Sequence, residues 1–157
     1  DKETGKIFFQ SGATGDSYYP EYNSIINFKK LIITTKTIDG IVNSNQNFLP
    51  IPDLIKLDTQ GSEIDILRGA VETLKKTKIV ILECPILIYN LGAPKLNQYV
   101  EEMLKHSFVP FALTDIHILK GLLIQIDIAF IRQDIFNSHI GKLDLIDAWK
   151  LTSESLK

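Results

Sequence analysis

The sequence predicts an α/β domain whose sheet is parallel in its first part and ends in an antiparallel hairpin. Three observations predict it. Leu54–Leu57 and residues 79–82 are short, nearly continuous apolar runs, the form taken by parallel strands covered on both faces. Between them Ile64, Leu67, Ala70, Val71 and Leu74 recur at helical spacing, with Arg68, Glu72, Lys75 and Lys76 on the other side. Residues 108–113 and 122–131 form two extended stretches joined by residues 114–121, a connection that suits a hairpin and is too short for a crossover helix.

Along the chain, residues 7–10 and 31–35 read as strands. They are separated by a turn-rich stretch containing Gly12, Gly15 and Pro20. Residues 43–47, Asn-Ser-Asn-Gln-Asn, read as a loop. The strand at 54–57, the helix after it and the strand at 79–82 make one right-handed crossover unit. A second helix follows, because Leu96, Tyr99, Val100, Met103 and Leu104 repeat with its period and Pro94 stands near its start, where a missing N–H costs little. In the last strand Ile124, Ile126, Ile128 and Phe130 share one face and Gln125 and Asp127 the other. Residues 143–149 read as a short helix with Leu145, Ile146 and Trp149 inward.

Composition narrows the function. A chain of 157 residues, 45% hydrophobic and 23% charged, reads as a single domain over 1–157, burying about 70% of its unfolded surface. Isoleucine occurs 24 times, which favours a substantial sheet. The net charge of -2 provides no field for binding a nucleic-acid backbone. The single cysteine, Cys84, has no disulfide partner, and three scattered histidines offer no zinc spacing. No apolar run spans a bilayer and no signal-peptide core opens the chain, so a cytoplasmic place is the default expectation. The chain opens on Asp1, so a piece cut from something longer is also expected.

The most informative segment is the strand that empties through Asp58, Thr59, Gln60, Gly61 and Ser62 into the next helix. Polar residues at the carboxyl end of a parallel strand stand where open α/β sheets bind ligands. The same residues also have a local reading. Ser62 with Asp65 matches a capping box, Gly61 permits a tight turn, and Glu63 suits the positive end of the helix dipole. Asp58 must be solvated, hydrogen-bonded or paired. Glu83 ends the next strand at a similar level, close enough to Asp58 for one pKa to rise or for a cation to be shared.

Other features read as ordinary structure. Gly12 to Gly15 lacks the remainder of any phosphate-loop motif and reads as a turn. His106, His117 and His139 fall on a helix end, a loop and the tail, and read as surface residues. Cys84 reads as inert filling, and Asp127 as either solvent-facing or bonded to a neighbouring loop.

The run Asp53-Leu-Ile-Lys-Leu-Asp-Thr-Gln-Gly-Ser-Glu-Ile-Asp-Ile-Leu-Arg-Gly-Ala70, followed by Ile-Val-Ile-Leu-Glu83 and Gln125-Ile-Asp-Ile-Ala-Phe130, resembles the FkbM-type methyltransferases. Thr37-Ile38-Asp39 and Gly15-Asp-Ser-Tyr-Tyr-Pro-Glu21 resemble upstream segments of the same family. The resemblance implies a Rossmann-like class I methyltransferase fold of full order 3-2-1-4-5-7-6. This chain would supply a partial sheet, strands 4-5-7-6, with the C-terminal hairpin as strands six and seven. Residues 1–50 would be an irregular β-rich lead-in, 51–133 the C-terminal half of the methyltransferase and 134–157 a helical tail.

The resemblance further implies S-adenosylmethionine as methyl donor and a hydroxyl on a small molecule or glycan as acceptor. Asp58 and Glu83 would be catalytic, and Asp58, Gln60, Gly61 and Glu63 would bind the cofactor. The family's glycine-rich donor turn is not found in this sequence, so the expectation is a fragment, inactive alone. Strand four would then carry an open edge beside Leu54 and Leu57, so that the chain alone either associates through it or is marginally stable unless N-terminal residues supply a substitute strand. Two competing readings are a non-catalytic binding or assembly module and a metal-assisted hydrolase using Asp58, Glu63 and Glu83.

Overall fold

The computed structural model describes residues 5–10, 16–20, 29–45 and 48–139. The turn expected at 12–15 and the helix expected at 143–149 lie outside the described residues, as does the side chain of His139.

Among the described residues, the two N-terminal strands join no strand of the main sheet. β1 (Gly5–Gln10) and β2 (Lys29–Thr34) form a separate antiparallel ribbon, in register from Gly5 opposite Thr34 to Gln10 opposite Lys29. The main sheet holds β3 (Leu54–Leu57), β4 (Ile79–Pro85), β5 (Phe108–Leu119) and β6 (Leu122–Arg132) in the order β3-β4-β6-β5. β3 and β4 are parallel, and β6 lies antiparallel to both β4 and β5. Among the described residues nothing pairs with the outer edge of β3, so the ribbon has not supplied a substitute strand.

One face of this sheet is packed. Val80 and Leu82 of β4 and Ile128 and Phe130 of β6 meet the helices α2 (Glu63–Arg68), α3 (Val71–Leu74) and α4 (Leu96–Lys105) in one buried cluster, through Leu67, Leu74, Tyr99 and Met103. Each large apolar side chain buried there contributes about 1.5–3 kcal/mol. Leu104, expected on the inner side of α4, is instead 52% exposed. The buried polar position on that helix is Glu102, which is paired with Arg68 and Lys105 at 3.1 Å each.

Four local expectations are corrected. The single helix expected from Ile64 to Leu74 is two helices, α2 and α3, interrupted at Gly69 and Ala70. The break has a distant cause. Asp39 accepts from the backbone N–H of Glu72 at 2.9 Å and of Thr73 at 2.8 Å, and from the Thr73 hydroxyl at 2.7 Å, so an acid from another element caps α3. Asp39 belongs to α1 (Ile38–Ser44), a helix capped by the Thr37 hydroxyl at 2.9 Å that takes in the first two residues of the expected loop at 43–47.

The capping box expected of Ser62 does not form. Ser62 makes no side-chain bond to the helix, and its hydroxyl donates back to the Thr59 carbonyl at 2.9 Å. In the hairpin, pairing continues through most of residues 114–121, so His117 lies in a strand and not a loop. Only Lys120 and Gly121, with φ of 50° and 80°, turn the chain, in the two-residue pattern that matches strand twist. β5 keeps its long partner by means of three register shifts. α5 (Gln133–His139) follows β6 directly. No helix among the described residues is long and apolar enough to cross a membrane.

Candidate functional site

The site is built where β3 ends and β4 runs on beside β6. Lys56 pairs in register with Ile81 and Leu57 with Leu82, so Asp58, just past β3, stands level with Glu83, which the sequence placed at a strand end but which lies within β4, opposite Asp127 of β6. Beyond Asp58 the chain must turn sharply into α2. Gln60 has φ of 55° and Gly61 of 106°, two successive left-handed residues. At Gly61 a Cβ would lie 2.8 Å from that of Ala93 and 3.1 Å from the Tyr19 ring, so glycine is required there by both conformation and space.

Glu63 holds this turn in shape. Its carboxylate is 1% exposed and accepts from the Thr59 N–H at 2.7 Å, the Thr59 hydroxyl at 3.0 Å, the Gly61 N–H at 3.0 Å and the Tyr99 hydroxyl at 2.8 Å. Buried in this way, it acts on the site through the backbone of the turn. Burial, then the charge of Glu63, pushes the Tyr99 phenol well above its ordinary pKa and keeps it a donor.

Asp58 is exposed, while Glu83 is buried. The two carboxyl groups share a hydrogen bond, and Asp58 is thereby held below its ordinary value, with help from Gln60, Lys56 and His117. Glu83 is pushed up to about 8, first by burial and then by the proximity of Asp58. The two carboxyl groups titrate as a coupled pair, and burial favours the protonated form of Glu83. Gln60 fixes the pair from one side: its amide N–H donates to Glu83 at 3.0 Å and to Asp58 at 3.3 Å. The Tyr89 hydroxyl stands 3.0 Å from Gln60 Oε1, 3.1 Å from Glu83 Oε1 and 3.0 Å from Gln125 Oε1.

The sequence-predicted residues Asp58, Gln60 and Glu83 are thus brought into one cluster, and Gly61 and Glu63 support it from below. Tyr89 and Gln125 were not singled out as site residues. The signal for Gln125 was its place on the polar face of β6, in line with Asp127. Tyr89 stands in an apolar stretch without periodicity and gave none. Asp127 is neither solvent-facing nor bonded to a loop: it is buried and paired with Lys56 at 3.1 Å on the same face of the sheet.

A strap from the N-terminal region completes the walls. The Ser17 hydroxyl donates to the Gln60 carbonyl at 2.8 Å, and Tyr19 lies against Gly61 and Gly92. The Asn90 amide donates to the Tyr19 carbonyl at 2.8 Å and the Leu91 N–H to that of Pro20 at 2.8 Å. Cys84 is fully buried and its thiol is pushed up to about 12 by burial, so no thiolate nucleophile is available at neutral pH. Among the described residues no three or more His, Cys, Asp or Glu side chains are arranged to hold a metal ion. The trio needed for metal-assisted hydrolysis is not assembled, because Glu63 is turned into its own loop.

The arrangement can bind hydrogen-bond donors or a cation at Asp58 and can take up or release one proton at the carboxyl pair. Comparison with known proteins adds a family. The Methyltransferase FkbM domain matches residues 3–120. No curated protein and no solved structure matches the chain.

Proposed function

The chain belongs to the FkbM methyltransferase family, and from that premise we propose that its crevice serves S-adenosylmethionine-dependent methylation of a hydroxyl group. The observation that carries this reading is the exposed Asp58 at the end of β3, level with the buried Glu83 of the parallel strand β4, with the Gln60 amide donating to both carboxyl groups. The strand order β3-β4-β6-β5 supports assigning these strands to positions 4-5-7-6 of a Rossmann-like class I methyltransferase sheet.

The residues present fit the donor. When bound, S-adenosylmethionine supplies an electrophilic methyl group on a positively charged sulfur. Asp58, exposed and ionised, offers the matching negative charge, and Gln60 and Gly61 shape the surface beside it. Glu63 contributes by fixing that turn. Methyl transfer depends on alignment and on removal of the acceptor proton. In this reading the ionised Asp58 carboxylate receives that proton, with Glu83 beside it. Tyr89 and Gln60 hold the Glu83 carboxyl in position by hydrogen bonds.

Calorimetric titration of the chain with S-adenosylmethionine tests the reading. Micromolar binding that Asp58→Ala abolishes supports it. An unchanged affinity in Asp58→Ala removes that residue from the donor site.

A second reading, an assembly module, is favoured by the outer edge of β3, which no strand among the described residues covers and where Leu54 is 51% exposed. In that reading, and equally if the chain is one part of a longer donor-holding sheet, the edge receives another strand. Absence of donor binding together with self-association in sedimentation supports the module.

A further inference from the structure

The sheet face that bears the carboxyl pair carries more acid than that pair. Val80 and Leu82 of β4 and Ile128 and Phe130 of β6 point into the core, so alternation turns Glu83 and Asp127 to the opposite face. Register then sets four acids level across all four strands: Asp58 just past β3, Glu83 on β4, Asp127 on β6 and Asp115 on β5. Neighbours in such a row stand about 5 Å apart, and like charges directly opposite each other destabilise a sheet. Among the described residues one lysine pairs with the row: the Lys56 ammonium lies 3.1 Å from Asp127 Oδ2, while His117 lies 3.4 Å from Asp115. Asp127 is 4% exposed, yet its other oxygen, Oδ1, has no hydrogen-bond partner among the described residues. A buried carboxylate oxygen without a donor is costly. The cross-strand repulsion and the orphaned oxygen are separate observations, and a positively charged donor answers both.

We propose that this row binds an amine-bearing saccharide, with an ammonium group at Asp127 and Asp115 and a hydroxyl at Asp58, Gln60 and Glu83. The proposal rests on the hydroxyl-acceptor reading above and adds the charge of the acceptor. A neutral hydroxyl can donate to Asp127 Oδ1 but leaves the repulsion between Asp127 and Asp115 in place, whereas an ammonium relieves both. The acids are strung along the sheet, and among the described residues no three of them converge as metal ligands, so an extended organic cation matches them where a metal ion does not. From Asp58 to Asp115 the row spans three strand spacings, about 14 Å, the reach of a short oligosaccharide and beyond that of a small amino alcohol. Asp115 is exposed, and Lys56 is half-exposed on a flexible stem that can swing aside, so the row is approached from solvent. A basic peptide is the competing occupant.

The test is calorimetry of the chain with chitotriose at about pH 6, where amines keep their protons and ordinary carboxyl groups do not. Its fully N-acetylated form, which keeps the ring hydroxyls and loses every amine, is the neutral probe. Chitotriose is expected to bind at least about tenfold more tightly than the acetylated form, with an affinity that falls as salt is added. Asp115→Asn should weaken it by about threefold or more, and Lys56→Gln, which removes the competing ammonium, should tighten it. Glu101→Gln, the same change of charge at an exposed position of α4, should leave it unchanged. Equal affinities for the two trisaccharides, no binding of chitotriose, or an equal loss in Asp115→Asn and Glu101→Gln would each overturn the proposal. So would a Lys56→Gln variant that binds no more tightly, or a preference for trilysine over chitotriose. The titration needs no methyl donor, so chitotriose binding without donor binding sinks the transferase reading alone. Donor binding without chitotriose binding sinks this proposal alone.

Discussion

The Tyr99 hydroxyl, on α4, donates at 2.8 Å to the Glu63 carboxylate of a turn 36 residues earlier, and both residues are buried. Removing the donor leaves a buried carboxylate short of one partner. Tyr99→Phe is expected to destabilise the protein by about 1–3 kcal/mol, read from urea unfolding. A neutral result would mean that the turn closes without help from the helix.

Gly61→Ala tests the same turn from its backbone. The substitution places a methyl group 2.8 Å from Ala93 at a φ of 106°. A loss of about 2 kcal/mol or more is expected in thermal or denaturant unfolding, from strain and overpacking together.

The pH dependence follows from the carboxyl pair. Glu83 is raised from 4.5 to about 8, so between those values the folded protein keeps a proton that the unfolded chain has given up. Stability should therefore fall as pH rises through that window. Asp58 is lowered from 3.8, so its stabilising share is present above that value and is lost only as pH falls through its folded pKa. Glu83→Gln should abolish the decline, making the variant more stable than the parent above pH 8 by something on the order of 1–2 kcal/mol. Parallel stability–pH curves for parent and variant would exclude a shared proton.

Asp39→Ala should uncap α3, at a cost of about 1–2 kcal/mol. Amide hydrogen exchange at Glu72 and Thr73, whose N–H groups Asp39 accepts, should accelerate more than at Leu67.

The elements legible in the sequence are those whose partners are built from apolar runs. β3, β4, β6 and α4 each carry an uninterrupted or alternating pattern, and the parallel pair and hairpin follow from the lengths of their connections. The break at Gly69 was hidden, because Ala70, Val71 and Leu74 continue the helical spacing across it and its cause, Asp39, lies in a different element. Ser62 shows the limit of a local motif: its spacing to Asp65 fits a capping box, but Thr59 competes for the hydroxyl from within the turn. Within the site, Asp58 was legible as a strand-end acid; Glu83 was legible as an acid at the same level, although β4 runs two residues past it. Tyr89 was not, since a side chain that reaches back from an irregular loop leaves no period to read.

The strap at residues 16–20 joins two surfaces that the chain makes far apart. Ser17 is bridged to Phe9 of the N-terminal ribbon through backbone bonds of 2.8 and 3.2 Å, and its hydroxyl grips the turn at Gln60. Pro20 and Tyr19 grip the opposite lip through Leu91 and Asn90. The ribbon is thereby tied through one short strap to both segments that flank the carboxyl pair, the turn at Gln60 and the loop at Asn90 and Leu91.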